Sequence, residues 1–459
     1  MSSIAPAAPI AFHPPAGGPA IRPNPTVLTT LIRALLVVMV VAGIAHPASA
    51  QIGLPQLPGG GLPSSLPGDI GVERAVGRVT GGLQDGVTET LRAPSRLTGL
   101  IRRSNGALEA DPQGWPVVSG ELLAIAPSPE VRRAALDAGF TVVREDRLDA
   151  LDLTTVVLAP PRGLSLRRAL ERLQRLDPTG DYAFNHVHQP AGGTALVTPA
   201  APPPAPVVQT PTALRLGLID TGIEATHPAL VGSRIVQRGF AGPPQMGAHG
   251  TAVASLMVGK TPAFSGGAPG AALFVADVYG GRPAGGSATA LAEALAWMVE
   301  SRAGVVNISL VGPRNALVQA AVRQAQTRGL RIVAAVGNDG PAAPPLFPAA
   351  YDGVIGVAPV DRRDRILPEA GRGPQVDFAA PGADMAAAGA AGTWVVVRGA
   401  SFASPLVAGL LARDGMTALE RSASDRGAPG PDPVFGRGLV GLTLRTAPDA
   451  VGARARLSR

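Results

Sequence analysis

Four short segments of this 459-residue chain carry side chains that could together cleave an acyl bond. In chain order they are Asp220, after the apolar run 214–219; His249 in His249-Gly250-Thr251; Asn338 in Gly337-Asn338-Asp339-Gly340; and Ser401 in Gly399-Ala400-Ser401-Phe402-Ala403-Ser404-Pro405. A serine hydroxyl is a poor nucleophile until a base takes its proton, and the base needs an anion to orient it. The tetrahedral intermediate then requires hydrogen-bond donors aimed at its oxyanion. Ser401 lies where a helix should begin, so unpaired backbone N–H groups would favour developing negative charge there. Its small neighbours let another chain approach closely. Asp220 ends a buried strand, His249 starts a Gly/Thr-rich helix, and the amide of Asn338 could point to a reacting carbonyl. His227, before Pro228, reads as a loop residue. Each segment also has a plainer reading. Asp-Thr-Gly is often only a turn, His-Gly-Thr a helix start, Gly-Asn-Asp-Gly a turn, and a serine at a helix start a cap.

The elements that must hold these residues follow from apolar periodicity. Strands are expected at 214–219, 272–278, 305–310, 332–336, 354–360 and 376–379, and helices at 249–258, 288–302, 316–328 and after Ser401. Continuous apolar strands alternating with helices imply a doubly wound, mostly parallel sheet buried on both faces. In such α/β folds ligands bind beyond the carboxyl ends of strands, where Asp220 and Asn338 fall. Upstream, residues 117–188 read β-α-β-β-α-β, a small α+β ferredoxin-like module. Its second helix places Leu166, Leu170, Leu173 and Leu176 on one face and arginines on the other.

Composition narrows the classes. The net charge of +7 comes from scattered arginines, without a basic stripe interleaved with aromatics, which disfavours nucleic acid as a partner. There is no cysteine, which excludes disulfides and thiolate chemistry. Residues 1–50 read as a leader: the apolar run 34–45 follows Arg33 and precedes Ala48-Ser49-Ala50, a pattern for export and cleavage after Ala50. That run is too short for a stable membrane span, with a signal anchor as the alternative. The expected location is secreted or periplasmic. Residues 51–107 form a Gly/Pro-rich spacer, 108–190 the small module, 191–212 a Pro-rich linker accessible to proteases, 213–445 the large domain and 446–459 a basic tail.

The large domain resembles the catalytic domain of the subtilases, the subtilisin-like serine endopeptidases. The resemblance rests on Ile219-Asp220-Thr221-Gly222, His249-Gly250-Thr251, Val336-Gly337-Asn338, Gly399 to Pro405 and the strand Val306-Asn307-Ile308-Ser309-Leu310. Further support comes from Phe347-Pro348-Ala349-Ala350-Tyr351 and Val376-Asp377-Phe378-Ala379-Ala380-Pro381-Gly382. It implies a triad of Asp220, His249 and Ser401, with Asn338 and the Ser401 N–H as the oxyanion hole. It also implies that Ser309, Leu310, Val311, Gly312 and Gly337 bind an extended protein or peptide substrate as an added strand. By the same resemblance 108–190 acts as the protein's own prodomain in cis, its tail filling the cleft until cut within about 186–212. Ala400 and Phe402 replace the threonine and methionine usual beside the nucleophile, and Val311 is expected to narrow a substrate pocket. No cofactor is expected for the chemistry, and structural calcium stays open. Two rivals remain, a catalytically silent binding protein of the same shape and an esterase-like hydrolase. The second lacks its Gly-x-Ser-x-Gly elbow.

Overall fold

Strand β2 shows how the chain is layered. In the computed structural model, which describes residues 96–195, 197–198 and 213–455, β1 (Leu108–Ala110) pairs antiparallel with β2 (Pro116–Ile125). Helix α1 (Pro129–Asp137), β3 (Thr141–Leu148), β4 (Leu153–Ala159), α2 (Leu166–Leu176) and β5 (Asp181–His186) complete the module. The sheet runs β5-β2-β4-β3, all antiparallel, which is the ferredoxin-like order. Alternate residues of β2 point to opposite faces. Leu122 and Ala124 join Ala135, Ala169 and Leu173 in a core under α1 and α2. Leu123 and Ile125 join the core of the large domain. Both faces are therefore dry, and the strand is apolar without interruption at its end. Ser128 starts α1, its hydroxyl accepting from the Val131 N–H at 3.3 Å, with Pro129 at the first helical position.

Three short strands follow: β6 (Gln189–Pro190), β7 (Gly193–Ala195) and β8 (Val197–Thr198). The large domain opens with β9 (Arg215–Asp220), β10 (Ile235–Gly239), α3 (Ala248–Val258), the hairpin of β11 (Lys260–Thr261) and β12 (Phe264–Ser265), and β13 (Ala272–Asp277). Then come α4 (Ala288–Glu300), β14 (Val305–Ile308), β15 (Leu310–Val311), α5 (Ala316–Thr327), β16 (Arg331–Ala335), β17 (Ile355–Val360) and β18 (Phe378–Pro381). The hairpin β19 (Ala383–Ala388) and β20 (Trp394–Arg398) leads into α6 (Ala400–Asp414), α7 (Met416–Ser422) and finally β21 (Arg454–Ala455). Seven strands form one parallel sheet in the order β10-β13-β9-β14-β16-β17-β18. Side chains of α4 and α5 cover one face, and those of α3 and α6 the other. The doubly wound sheet expected from the strand pattern is present. Edge strand β10 and the β19–β20 hairpin lie outside that expectation.

One expectation needs correction. Residues 191–195 are not a free linker: Ala191 is 2% exposed, and β7 pairs antiparallel with β20. A backbone laid along two strand edges satisfies its hydrogen bonds there and gains burial, which outweighs the pull of a Pro-rich sequence towards solvent. His227 lies in a loop, as expected, but a buried one. It is fully buried, its Nε2 donates to the Thr393 carbonyl at 2.8 Å and its Nδ1 accepts from the Ala229 N–H. The leader, most of the spacer, the linker at 196 and 199–212, and the end of the tail lie outside the described residues. Among the described residues no helix is long and apolar enough to cross a membrane.

Candidate active site

The carboxyl ends of β9 and β16, which flank β14, and the first turns of α3 and α6 deliver the side chains. Asp220 closes β9 with no exposure, and its Oδ1 accepts from the Thr221 N–H at 2.7 Å. His249 is the second residue of α3, and its Nδ1 lies 2.8 and 3.0 Å from the two Asp220 oxygens. A carboxylate in that position fixes the imidazole with its proton on Nδ1 and leaves Nε2 as a base. Asn338 follows β16, and its Oδ1 accepts from the Ala400 N–H at 3.1 Å, which turns the NH₂ towards the cleft.

The backbone carbonyl of Ala191 lies in that cleft. It accepts from the Ser401 N–H at 2.8 Å and from Asn338 Nδ2 at 2.5 Å. Two convergent donors on one carbonyl oxygen are what an oxyanion needs. Residues on both sides of Ala191 are held as strands. Pro190 and Gln189 pair antiparallel with Leu310 and Val311, and the Ala191 N–H donates to the Ser309 carbonyl at 3.1 Å. Beyond Gly192, β7 lies along Val396–Arg398 of β20. Gly399, at φ +129, leaves room for this chain: a Cβ there would sit 2.8 Å from the Gly192 Cα and 2.9 Å from Asn338 Nδ2.

Every residue expected at the site falls in this region, with one contact missing. Ser401 Oγ donates to the Ser309 carbonyl at 3.0 Å, and His249 Nε2 is buried without a hydrogen-bond partner. The overlying chain accounts for the crowding: a Cβ on Gly192 would lie 3.1 Å from Ser401 Cβ and 2.8 Å from the Phe402 ring. A supporting network was not legible in advance. Asn307 Nδ2 donates to Ser309 Oγ at 2.8 Å, and Ser309 Oγ donates to the Ser401 carbonyl at 2.9 Å. Alternating polar positions in an otherwise apolar strand, Asn307 and Ser309, were its only sequence signal. Gly337 faces Leu346 and Val311, whose side chains would lie 2.7 and 3.7 Å from a Cβ placed on it.

The subtilase family model matches residues 212–420. Over 215 residues the chain is 33% identical to thermitase from Thermoactinomyces vulgaris, a match covering 44% of this chain and 76% of thermitase. The chain belongs to the subtilase family. Its matched region is a serine endopeptidase domain. It is also 33% identical over 205 residues to a thermophilic serine proteinase from Bacillus sp. strain AK1, spanning 43% of this chain and 51% of that protein. The fold is shared with fervidolysin from Fervidobacterium pennivorans, described as a keratinolytic enzyme related to subtilisin. That match has a TM-score of 0.60 at 20% identity, over 76% of this chain and 63% of fervidolysin. The epidermin leader peptide processing serine protease of Staphylococcus aureus superposes with a TM-score of 0.53 at 15% identity, over 72% of this chain and 99% of its own.

Within this subtilase, Phe402 stands beside Ser401, fully buried, its ring 5.4 Å from that of His249. Phenylalanine has no thioether to oxidise. Peptide hydrolysis should therefore survive millimolar peroxide, and Phe402→Met should make it decay; equal resistance of both proteins would refute the link. Among the described residues no group of three or more His, Asp or Glu side chains could hold a metal ion.

Proposed function

We propose that the chain is an exported serine endopeptidase, made as a proenzyme that cuts itself between Ala191 and Gly192. The observation that carries this reading is the Ala191 carbonyl, held by Ser401 N–H and Asn338 Nδ2. In the proposed mechanism Ser401 Oγ turns about its Cα–Cβ bond from the Ser309 carbonyl to His249 Nε2 and attacks the scissile carbon. His249 takes the hydroxyl proton and returns it to the leaving amine, while Asp220 keeps the imidazole oriented. Export rests on the leader sequence alone. Processing is tested by sequencing the N-terminus of the purified protein: Gly192 should be the first residue for the wild type, and Ser401→Ala should stay joined there. One observation favours a silent binding protein instead, the missing bond between Ser401 and His249. A serine-directed phosphonate separates the two, since only a working triad is labelled.

The residue before the cut bond is read as small. Ala191 occupies that position and belongs to the same buried cluster as Leu310, Val311 and Leu346. Val311→Gly should raise kcat/KM for cleavage after phenylalanine, relative to alanine, by about tenfold or more. An unchanged ratio in a peptide series would remove Val311 as the limit.

A further inference from the structure

Two imidazoles enter the interface on the segment that fills the cleft, and the proposed chemistry uses neither. His188 has no exposed surface. Its N–H donates to the Gly286 carbonyl at 2.8 Å, and its carbonyl accepts from the Tyr279 hydroxyl at 3.0 Å. Its ring packs over Gly312, where a Cβ would lie 2.6 Å from it. Neither ring nitrogen has a hydrogen-bond partner. A second proton would therefore create a buried cation with two donors and no acceptor.

His186 meets a related constraint. Asn315 caps α5, its Oδ1 accepting from the N–H groups of Leu317 and Val318. Its amide orientation is thereby fixed, and Nδ2 donates to the Phe184 carbonyl at 2.9 Å and to His186 Nδ1 at 3.0 Å. Nδ1 must be bare, so the ring proton sits on Nε2, 3.1 Å from Asp111 Oδ2. Adding a proton to Nδ1 would set donor against donor.

We propose that His188 is a proton-operated catch, whose charging ejects residues 187–192 from the cleft, so that acid frees the protease from its own leader. This rests on the reading of that segment as an inhibitory tail. Burial, followed by the like charge of His186, lowers the His188 ring from the usual histidine value to about 3. The freed segment takes up a proton that the seated one refuses. Seating is therefore complete above about pH 6.5 and is lost as pH falls below it, by about tenfold per unit. The groups around the catch do not reverse this. Tyr279 is held neutral by burial, then by Asp220 and Asp277, and β15 offers only Leu310 and Val311 before Gly312. At His186 an acceptor, Asp111 Oδ2, faces Nε2 and a donor, Asn315 Nδ2, faces Nδ1, whereas His188 has no polar partner at all, which makes it the main element. Farther off, Glu293 on α4 is pushed up to about 7 by burial, then by Asp146 of β3, against Arg144 and Arg238. Its protonation favours contact between the module and α4 in acid, the opposite sense.

The test uses the full-length Ser401→Ala chain, which holds the segment joined, and follows amide hydrogen exchange over 187–191, corrected for intrinsic rates. Protection there should fall about a hundredfold between pH 7.5 and 4.5. With His188→Phe added, a ring that cannot take a proton, it should change little. Glu293 is common to both proteins and cancels in the comparison. Equal pH profiles for the two variants overturn the proposal. If the phenylalanine ring does not seat, the parent alone decides, and constant protection across that range overturns it. Failure of self-cleavage would be read separately, from the N-terminus of the wild type.

Discussion

Ser401→Ala should lower peptide hydrolysis by on the order of 10⁶ and leave the chain uncut between Ala191 and Gly192. The magnitude is the one known for subtilisin, a relative of this chain. Its physical basis is that the alanine keeps the backbone N–H on the Ala191 carbonyl but has no oxygen to attack it. Binding and partial oxyanion stabilisation survive, so a residue of activity over water should remain. Because Ser401 is fully buried and makes its one hydroxyl donation to the Ser309 carbonyl, folding should be little affected. A progress curve with a chromogenic peptide, alongside gel analysis of chain length, checks both halves. Hydrolysis within tenfold of the wild type would assign the nucleophile elsewhere.

Asn338→Ala should lower kcat by about 10²- to 10³-fold with KM almost unchanged. Here too the size of the loss comes from a subtilisin relative. The amide is held by the Ala400 N–H on Oδ1 and sends Nδ2 to the carbonyl oxygen. Its bond should strengthen as that oxygen becomes an anion, so its removal acts on the transition state more than on the bound substrate. Ala400 brings no hydroxyl to the same place, which leaves Asn338 and the Ser401 N–H as the two donors seen on the carbonyl. A loss confined to KM would mean that the amide only binds the ground state.

The parallel sheet was legible because its strands are mostly apolar runs bounded by glycine turns, unbroken in 332–336 and broken only by Asn307 and Ser309 in 305–310. Asp220 and Asn338 could be placed at strand ends for the same reason. Edge strand β10 was not, since Ile235 to Gly239 is only half buried and sits between glycine- and proline-rich turns. Strand β19 was hidden by its alanines, which mark no period. Ala191 and Gly192 carry no chemistry of their own, so their place in the cleft comes from the strands on either side. The direction of the Ser401 hydroxyl, towards the Ser309 carbonyl, is a rotamer choice, and residue order says nothing about it. His227 was underrated because a histidine before proline in a turn gives no hint of burial against Trp394.

The segments before and after Ala191–Gly192 lie on different strands, β15 and β20. A bond severed there would leave its new amine beside the acyl carbon, at a high effective concentration. Aminolysis could then rejoin what hydrolysis parts. Newly folded protein should accordingly hold severed and rejoined chains in a standing ratio, and the break should become permanent only once one end drifts away. Adding denaturant to a freshly folded sample and comparing the ratio before and after would reveal that reversibility.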